Sequence, residues 1–171
     1  MRALFVDESK SNGYLMVAVL VNSGNRTHLR RQVGAHRLKG QRRIHFTKEQ
    51  DARRKTLLTE FAALGFTAYV FRSTSKDQAI ARQQCLAGIV SLAQEQAINE
   101  IILERDESLR ASDKQHLYLE VKRHGMTGQF RYRLEAPQDE PLLWVADGIA
   151  WGYAKGGMWR ARVAPLIIAV R

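Results

Sequence analysis

Cysteine is nearly absent from this 171-residue chain: Cys85 stands alone, which excludes an internal disulfide and a cysteine-based zinc site. Cys85 falls within the amphipathic stretch Ala79 to Ala93, where it reads as a small buried residue rather than a nucleophile. Proline is scarce too, with three in total, and a hydrophobic share of 45% accompanies it, so the composition belongs to a folded globule. No apolar run approaches the roughly 20 residues needed to span a bilayer, and no membrane association is expected. The opening Met1-Arg2-Ala3-Leu4-Phe5-Val6-Asp7 meets charge too early for a secretory signal, so a cytoplasmic protein is the expectation. Internal repeats, low-complexity tracts and linkers are also missing, which leaves one domain over 1–171, long enough to bury a proper core.

Acidic residues are outnumbered, 17 against 27 Lys and Arg, and the imbalance is local. Eleven basic residues lie between Arg26 and Lys55, opposed only by Glu49 and Asp51, while the remainder of the chain is close to neutral. A solvated helix face usually mixes signs; a one-sign segment on a balanced domain points to a polyanion, here a nucleic acid (RNA, DNA or a hybrid). Arg30, Arg31, Arg37, Lys39, Arg42, Arg43, His45 and Lys48 are the candidate contacts. A regulatory protein partner with an acidic surface would meet the same field.

Apolar patterning places strands at Ala3–Val6, Tyr14–Val21, Phe66–Phe71, Glu100–Glu104 and Gln129–Leu134, with a weaker candidate at Arg42–Phe46. Ser9 to Gly13 has the composition of a hairpin turn. Thr47-Lys48-Glu49-Gln50, Ser75-Lys76-Asp77-Gln78 and Ser112-Asp113-Lys114-Gln115 each match a capping box opening a helix. Pro141 fits the first position of a last helix that Lys155-Gly156-Gly157 ends, and the tail Pro165–Val170 is expected to pack back on the core. A hairpin followed by alternating helices and strands is an α/β sheet of mixed direction with helices on its faces.

Acidic residues occupy apolar ground at a few places. Asp7 and Glu8 end the first strand, Glu104 ends Ile101-Ile102-Leu103, and Asp147 lies inside Leu142–Trp151 among Leu143, Trp144, Ala150 and Trp151 on one helix face. Isolated carboxylates there lose several kcal/mol of solvation unless an arginine, a backbone amide or a metal compensates them. In α/β sheets functional groups collect at the carboxyl ends of parallel strands, and three acids converging by topology favour a divalent metal.

The chain resembles the RNase H-like fold and, more narrowly, the bacterial family of RNase H-like proteins catalogued as domain of unknown function 3800. The resemblance lies in Phe5-Val6-Asp7-Glu8-Ser9 followed by the Tyr14–Val21 strand, in Ile101-Ile102-Leu103-Glu104, and in Pro141–Trp151. It implies a nuclease-like site in which Asp7, Glu104 and Asp147 are catalytic and hold two Mg²⁺ or Mn²⁺ ions, with Glu8 as a further candidate ligand. In such sites one ion activates water and the other stabilises the leaving oxygen. The glutamate expected near the third strand is replaced by Arg42-Arg43-Ile44-His45-Phe46; Glu49 or Glu60 is the candidate substitute, and a non-catalytic binding module on the same fold is the alternative. A PIN-type ribonuclease fits less well because its first strand leads into a helix, and a haloacid-dehalogenase phosphatase needs an Asp-x-Asp that Asp7-Glu8-Ser9 lacks. His124 is a candidate for product release or a solvated loop residue; Trp144 and Trp151 form a core stripe, and Trp159 stands between base stacking and core packing.

Overall fold

The computed structural model describes residues 1–171. Its centre is a hairpin of two apolar strands, β1 (Arg2–Ser9) and β2 (Tyr14–Asn22), paired antiparallel from Arg2↔Asn22 to Ser9↔Leu15. Gly13, at φ 83°, supplies the left-handed residue that turns the chain between them. β3 (Thr67–Ser73) adds antiparallel to β2, whereas β4 (Glu100–Glu104) adds parallel to β1 and β5 (Arg131–Glu135) parallel to β4. β6 (Ile167–Val170) closes the other edge parallel to β3, giving the order β5-β4-β1-β2-β3-β6. The expected mixed sheet is present, but the tail forms an edge strand of its own, so the chain ends in a strand rather than a helix.

The central strands read as continuous apolar runs because both faces of the sheet are covered. Phe5, Val17, Val19, Val70 and Ile102 face one core, which also takes side chains from α1 (Arg26–Ala35), α2 (Asp51–Ala63), α5 (Leu142–Lys155) and α6 (Gly157–Val163). Leu4, Val6, Met16, Phe71, Ile101 and Leu103 face the second, covered by α3 (Gln78–Glu95) and α4 (Arg110–Arg123). No helix is long and apolar enough to cross a membrane.

Helix starts depart from the capping-box reading. Only α3 is capped by a side chain: Asp77 accepts from the Ala79 and Ile80 amides, while Ser75 accepts from the Asp77 amide one step upstream. Thr47 caps nothing. It lies in a short 3₁₀ turn, Phe46–Lys48, and α2 begins only at Asp51. Ser112 is already inside α4, and Asp113 is buried and bound to Arg82. Arg42–Phe46 forms no strand: the backbone bends at Arg42 and Arg43, and Ile44 and Phe46 are buried singly.

Candidate functional site

Two parallel strands and one helix build the site. Val6 pairs with Leu103 in the β1–β4 register, so Asp7 and Glu104 are the next residues along adjacent strands, at their carboxyl ends. Phe5 and Ile102, two residues back, belong to the core under α5, and strand alternation puts Asp7 and Glu104 on that same face. Asp147 comes down onto it from the middle of α5. All three line one cleft of about 420 Å³.

Asp7 is half-buried and accepts a single hydrogen bond, 2.7 Å from the Glu8 amide. Burial, followed by repulsion from Glu104 and Asp147, holds its pKa well above the usual carboxylate range. Asp147 accepts the Phe46 amide at 2.9 Å, and burial, with repulsion from Glu104, pushes its pKa up to about 7 despite that bond. Neither has a cationic partner. Every fully buried acid does: Glu49 has Arg53, Glu100 has Arg26, Asp113 has Arg82 and Glu140 has Arg30. Glu104 is intermediate, held by Arg43 with Nη1 3.0 Å from Oε1.

The expected convergence is therefore met as to face and cleft, but not as to contact. No group of three or more His, Cys, Asp or Glu side chains is gathered as a ready-made metal cage. Asp147 instead accepts the Phe46 amide, and Glu104 accepts from Arg43.

Glu8 also lines the cleft, but its carboxylate is already engaged: it accepts from Tyr14 and from Arg82 at 2.6 Å and faces Lys10 at 3.0 Å. Arg82 in turn grips Asp113 through Nε at 2.7 Å and Nη2 at 2.9 Å. Glu49 and Glu60 do not line the acidic cleft: Glu49 is bound by Arg53 and Gln41, and Glu60 stands 4.0 Å from His36.

Immediately beside the acidic cleft is a second hollow of about 240 Å³, lined by Arg42, Arg43, His45 and Lys48 with Gln41 and Glu49. Arg43 and His45 border both hollows. Burial, then the charges of Arg43 and Lys48, lowers the His45 pKa, leaving a neutral imidazole at neutral pH. Arg31, Arg37 and Lys39 are exposed, and Arg37 also donates to the Arg42 carbonyl at 3.4 Å. Arg30 differs from the rest of the expected set, because it is spent on buried Glu140 at the amino end of α5.

The local fold around Phe46 fixes Asp147. Gly148 lets the Phe46 ring lie directly on α5, where a Cβ would meet it at 2.6 Å. Arg54 donates to the Phe46 and Thr47 carbonyls at 2.7 and 3.0 Å and stacks 4.3 Å over Trp151. Trp159 is buried edge-on to Trp151 at 4.9 Å, which settles it as core and not a base platform. His124 is tied to Gln94 of α3 and does not line the cleft. Lys10, Ser9, Ser11, Thr47 and Lys155 do line it and were not singled out from the sequence. Lys155 was findable: Asp147, Trp151 and Lys155 recur at helical spacing.

No protein-family model matches the sequence, and no curated protein matches it. Among solved structures, the chain is similar to the RNase HII of the PCNA:RNase HII complex from Archaeoglobus fulgidus, with a TM-score of 0.64 at 14% identity over 96% of this chain and 78% of that one. At that identity the likeness establishes the fold, which is RNase H-like.

Proposed function

We propose that the protein is a divalent-metal-dependent nuclease that hydrolyses phosphodiester bonds of RNA or DNA. The observation that carries this reading is the pair of half-buried carboxylates, Asp7 and Asp147, left without an ion-pair partner on a molecule that gives one to each of its fully buried acids. Their oxygen donors, with Glu104, suit a hard ion such as Mg²⁺ or Mn²⁺, so the donor chemistry fits even though the side chains must close on the ion. When bound, such ions would activate a water and stabilise the leaving oxygen. Asp7, Glu104 and Asp147 would hold them. Arg42, Arg43 and Lys48 would bind the flanking phosphates, and neutral His45 would orient a phosphate or a water through a ring nitrogen. The fold shared with an archaeal RNase HII and the short motifs resembling domain of unknown function 3800 support the same reading. That the archaeal enzyme is seen with PCNA makes a protein partner a reasonable extension of it.

A second reading, a nucleic-acid-binding module without turnover, is favoured by one specific contact: Arg43 already occupies Glu104. Incubating the purified protein with labelled RNA, DNA and hybrid, in Mn²⁺ or in EDTA, separates the two. Metal-dependent cleavage abolished by Asp7→Asn supports the nuclease. Retained binding with no cleavage of any substrate overturns it in favour of the module.

A further inference from the structure

Five arginines on this molecule, Arg26, Arg30, Arg53, Arg82 and Arg133, face acids whose side chains are 10% exposed or less. The Arg43–Glu104 pair is built differently. Its acid is 22% exposed, against 10% or less for those others, and Arg43 itself is 24% exposed, so water reaches both ends of the pair. Arg43 also borders two hollows of opposite character, one containing Asp7, Glu104 and Asp147, the other containing Arg42 and Lys48. It sits between α1 and α2 on chain that forms neither helix nor strand, so no ladder of backbone bonds fixes where the side chain points. The guanidinium fork matches a phosphate as well as a carboxylate.

We propose that Arg43 is a shared cation: it neutralises Glu104 while the acidic cleft holds no divalent ion, and turns to a nucleic-acid phosphate in the adjoining basic hollow once an ion takes that role. The proposal rests on the nuclease reading and adds a coupling to it. A divalent ion on Glu104 repels the guanidinium that grips the same carboxylate, and the released arginine joins Arg42 and Lys48 as a third phosphate contact. By linkage the effect is reciprocal: nucleic acid that draws Arg43 away leaves Glu104 free for the ion. The ordinary role of a surface ion pair, holding the 41–45 segment in place, predicts no such coupling.

The test uses Mn²⁺ and a nuclease-resistant phosphorothioate single-stranded dodecamer, whose own Mn²⁺ uptake is subtracted. Calorimetric titration of Mn²⁺ into the unmodified protein should give an affinity on the order of fivefold or more higher with the dodecamer than without. Arg43→Gln should bind Mn²⁺ more tightly than the unmodified protein when no dodecamer is present, and should lose most of the enhancement when it is. Glu104→Gln provides a second route that keeps the arginine: in EDTA it should bind the dodecamer more tightly than Glu107→Gln, an exposed control with the same change in charge. If Arg43→Gln binds Mn²⁺ no more tightly, or Glu104→Gln merely equals Glu107→Gln, the shared-cation proposal fails while the nuclease reading stands. If the unmodified protein takes up no Mn²⁺ at all, both fall together.

Discussion

Asp113 and Asp147 are both helical aspartates whose side chains turn inward, and their surroundings give them opposite properties. Asp113 receives two hydrogen bonds from Arg82, which also reaches Glu8 and Tyr14. Breaking such a buried pair from one side leaves an uncompensated charge, so Asp113→Ala should cost about 3–5 kcal/mol in urea unfolding. Asp147 has no ion-pair partner, only a backbone amide and the nearby charge of Arg43 against its own. With its folded pKa at about 7 and the usual value at 3.8, the folded state keeps a proton that the unfolded chain releases. Stability in metal-free buffer therefore declines as pH rises from about 4 toward 7, and the loss is complete above that window. Asp147→Asn removes this loss: in EDTA it should melt several degrees above the unmodified protein at pH 8, by an effect of order a few kcal/mol, and alongside it at pH 4. Asp7→Asn should behave in the same direction, since its pKa is raised by the same causes. Excess Mn²⁺ should reverse the order at pH 8 by stabilising only the protein that binds it. Melting that drops on neutralising Asp147 at pH 8 would mean its charge is already compensated. The sequence showed these acids but not their neighbours: Asp7 and Glu8 look alike until the side of the sheet on which α5 lies is known.

Elements with strong period were legible and those without it were not. β4 begins and ends where the apolar run Ile101-Ile102-Leu103 between two acids says it should, and α5 turns Asp147 inward because Leu143, Ala150 and Trp151 share its face. The 41–50 segment has no such signal. Its only buried apolar residues are Ile44 and Phe46, and its shape is imposed from outside by Arg54, Asp147 and the gap at Gly148. Thr47 to Gln50 satisfies a capping box in letters, but Phe46 must first dock on α5, and that delays the helix to Asp51. The edge strand β6 was missed for the related reason that four residues beside an edge carry little pattern. Gly148 makes the tertiary control testable. A methyl there meets the Phe46 ring at 2.6 Å, so Gly148→Ala should push the 46–48 turn off α5 and weaken the Phe46 amide bond to Asp147. The expected loss is about 1–3 kcal/mol of stability by overpacking, together with reduced Mn²⁺ affinity by calorimetry. A variant as stable as the parent with unchanged metal binding would show that Phe46 does not position Asp147. Gly24→Ala, with nothing within 4 Å of the added Cβ, is the neutral control.

Across the whole molecule, the basic segment divides by what its charges already face. Of the residues expected from sequence to meet nucleic acid, Arg42, Arg43, His45 and Lys48 gather beside the acidic cleft, Arg31, Arg37 and Lys39 are exposed, and Arg30 is held by Glu140. Net charge counted along the chain could not make that division, because Glu100 and Glu140, which absorb Arg26 and Arg30, lie far away in sequence. The division separates binding from folding. Each cation that contacts phosphate contributes roughly −0.9 to the slope of log K against log salt on duplex DNA, so about four contacts give a slope near −3 to −4. Replacing Arg42 and Lys48 together with alanine should flatten that slope by up to about two units with little dependence on base sequence, and should leave thermal stability nearly unchanged because neither side chain forms an ion pair. Arg30→Ala should do the reverse. It leaves buried Glu140 with only the more distant Arg26, at 3.9 Å, so the protein should lose about 2–4 kcal/mol of stability while the salt slope stays as it was. Fluorescence anisotropy on a short duplex across a salt series, with a urea melt of each variant, reads both quantities. A slope flattened by Arg30→Ala but not by the Arg42 and Lys48 pair would move the nucleic-acid path away from the cleft and onto α1.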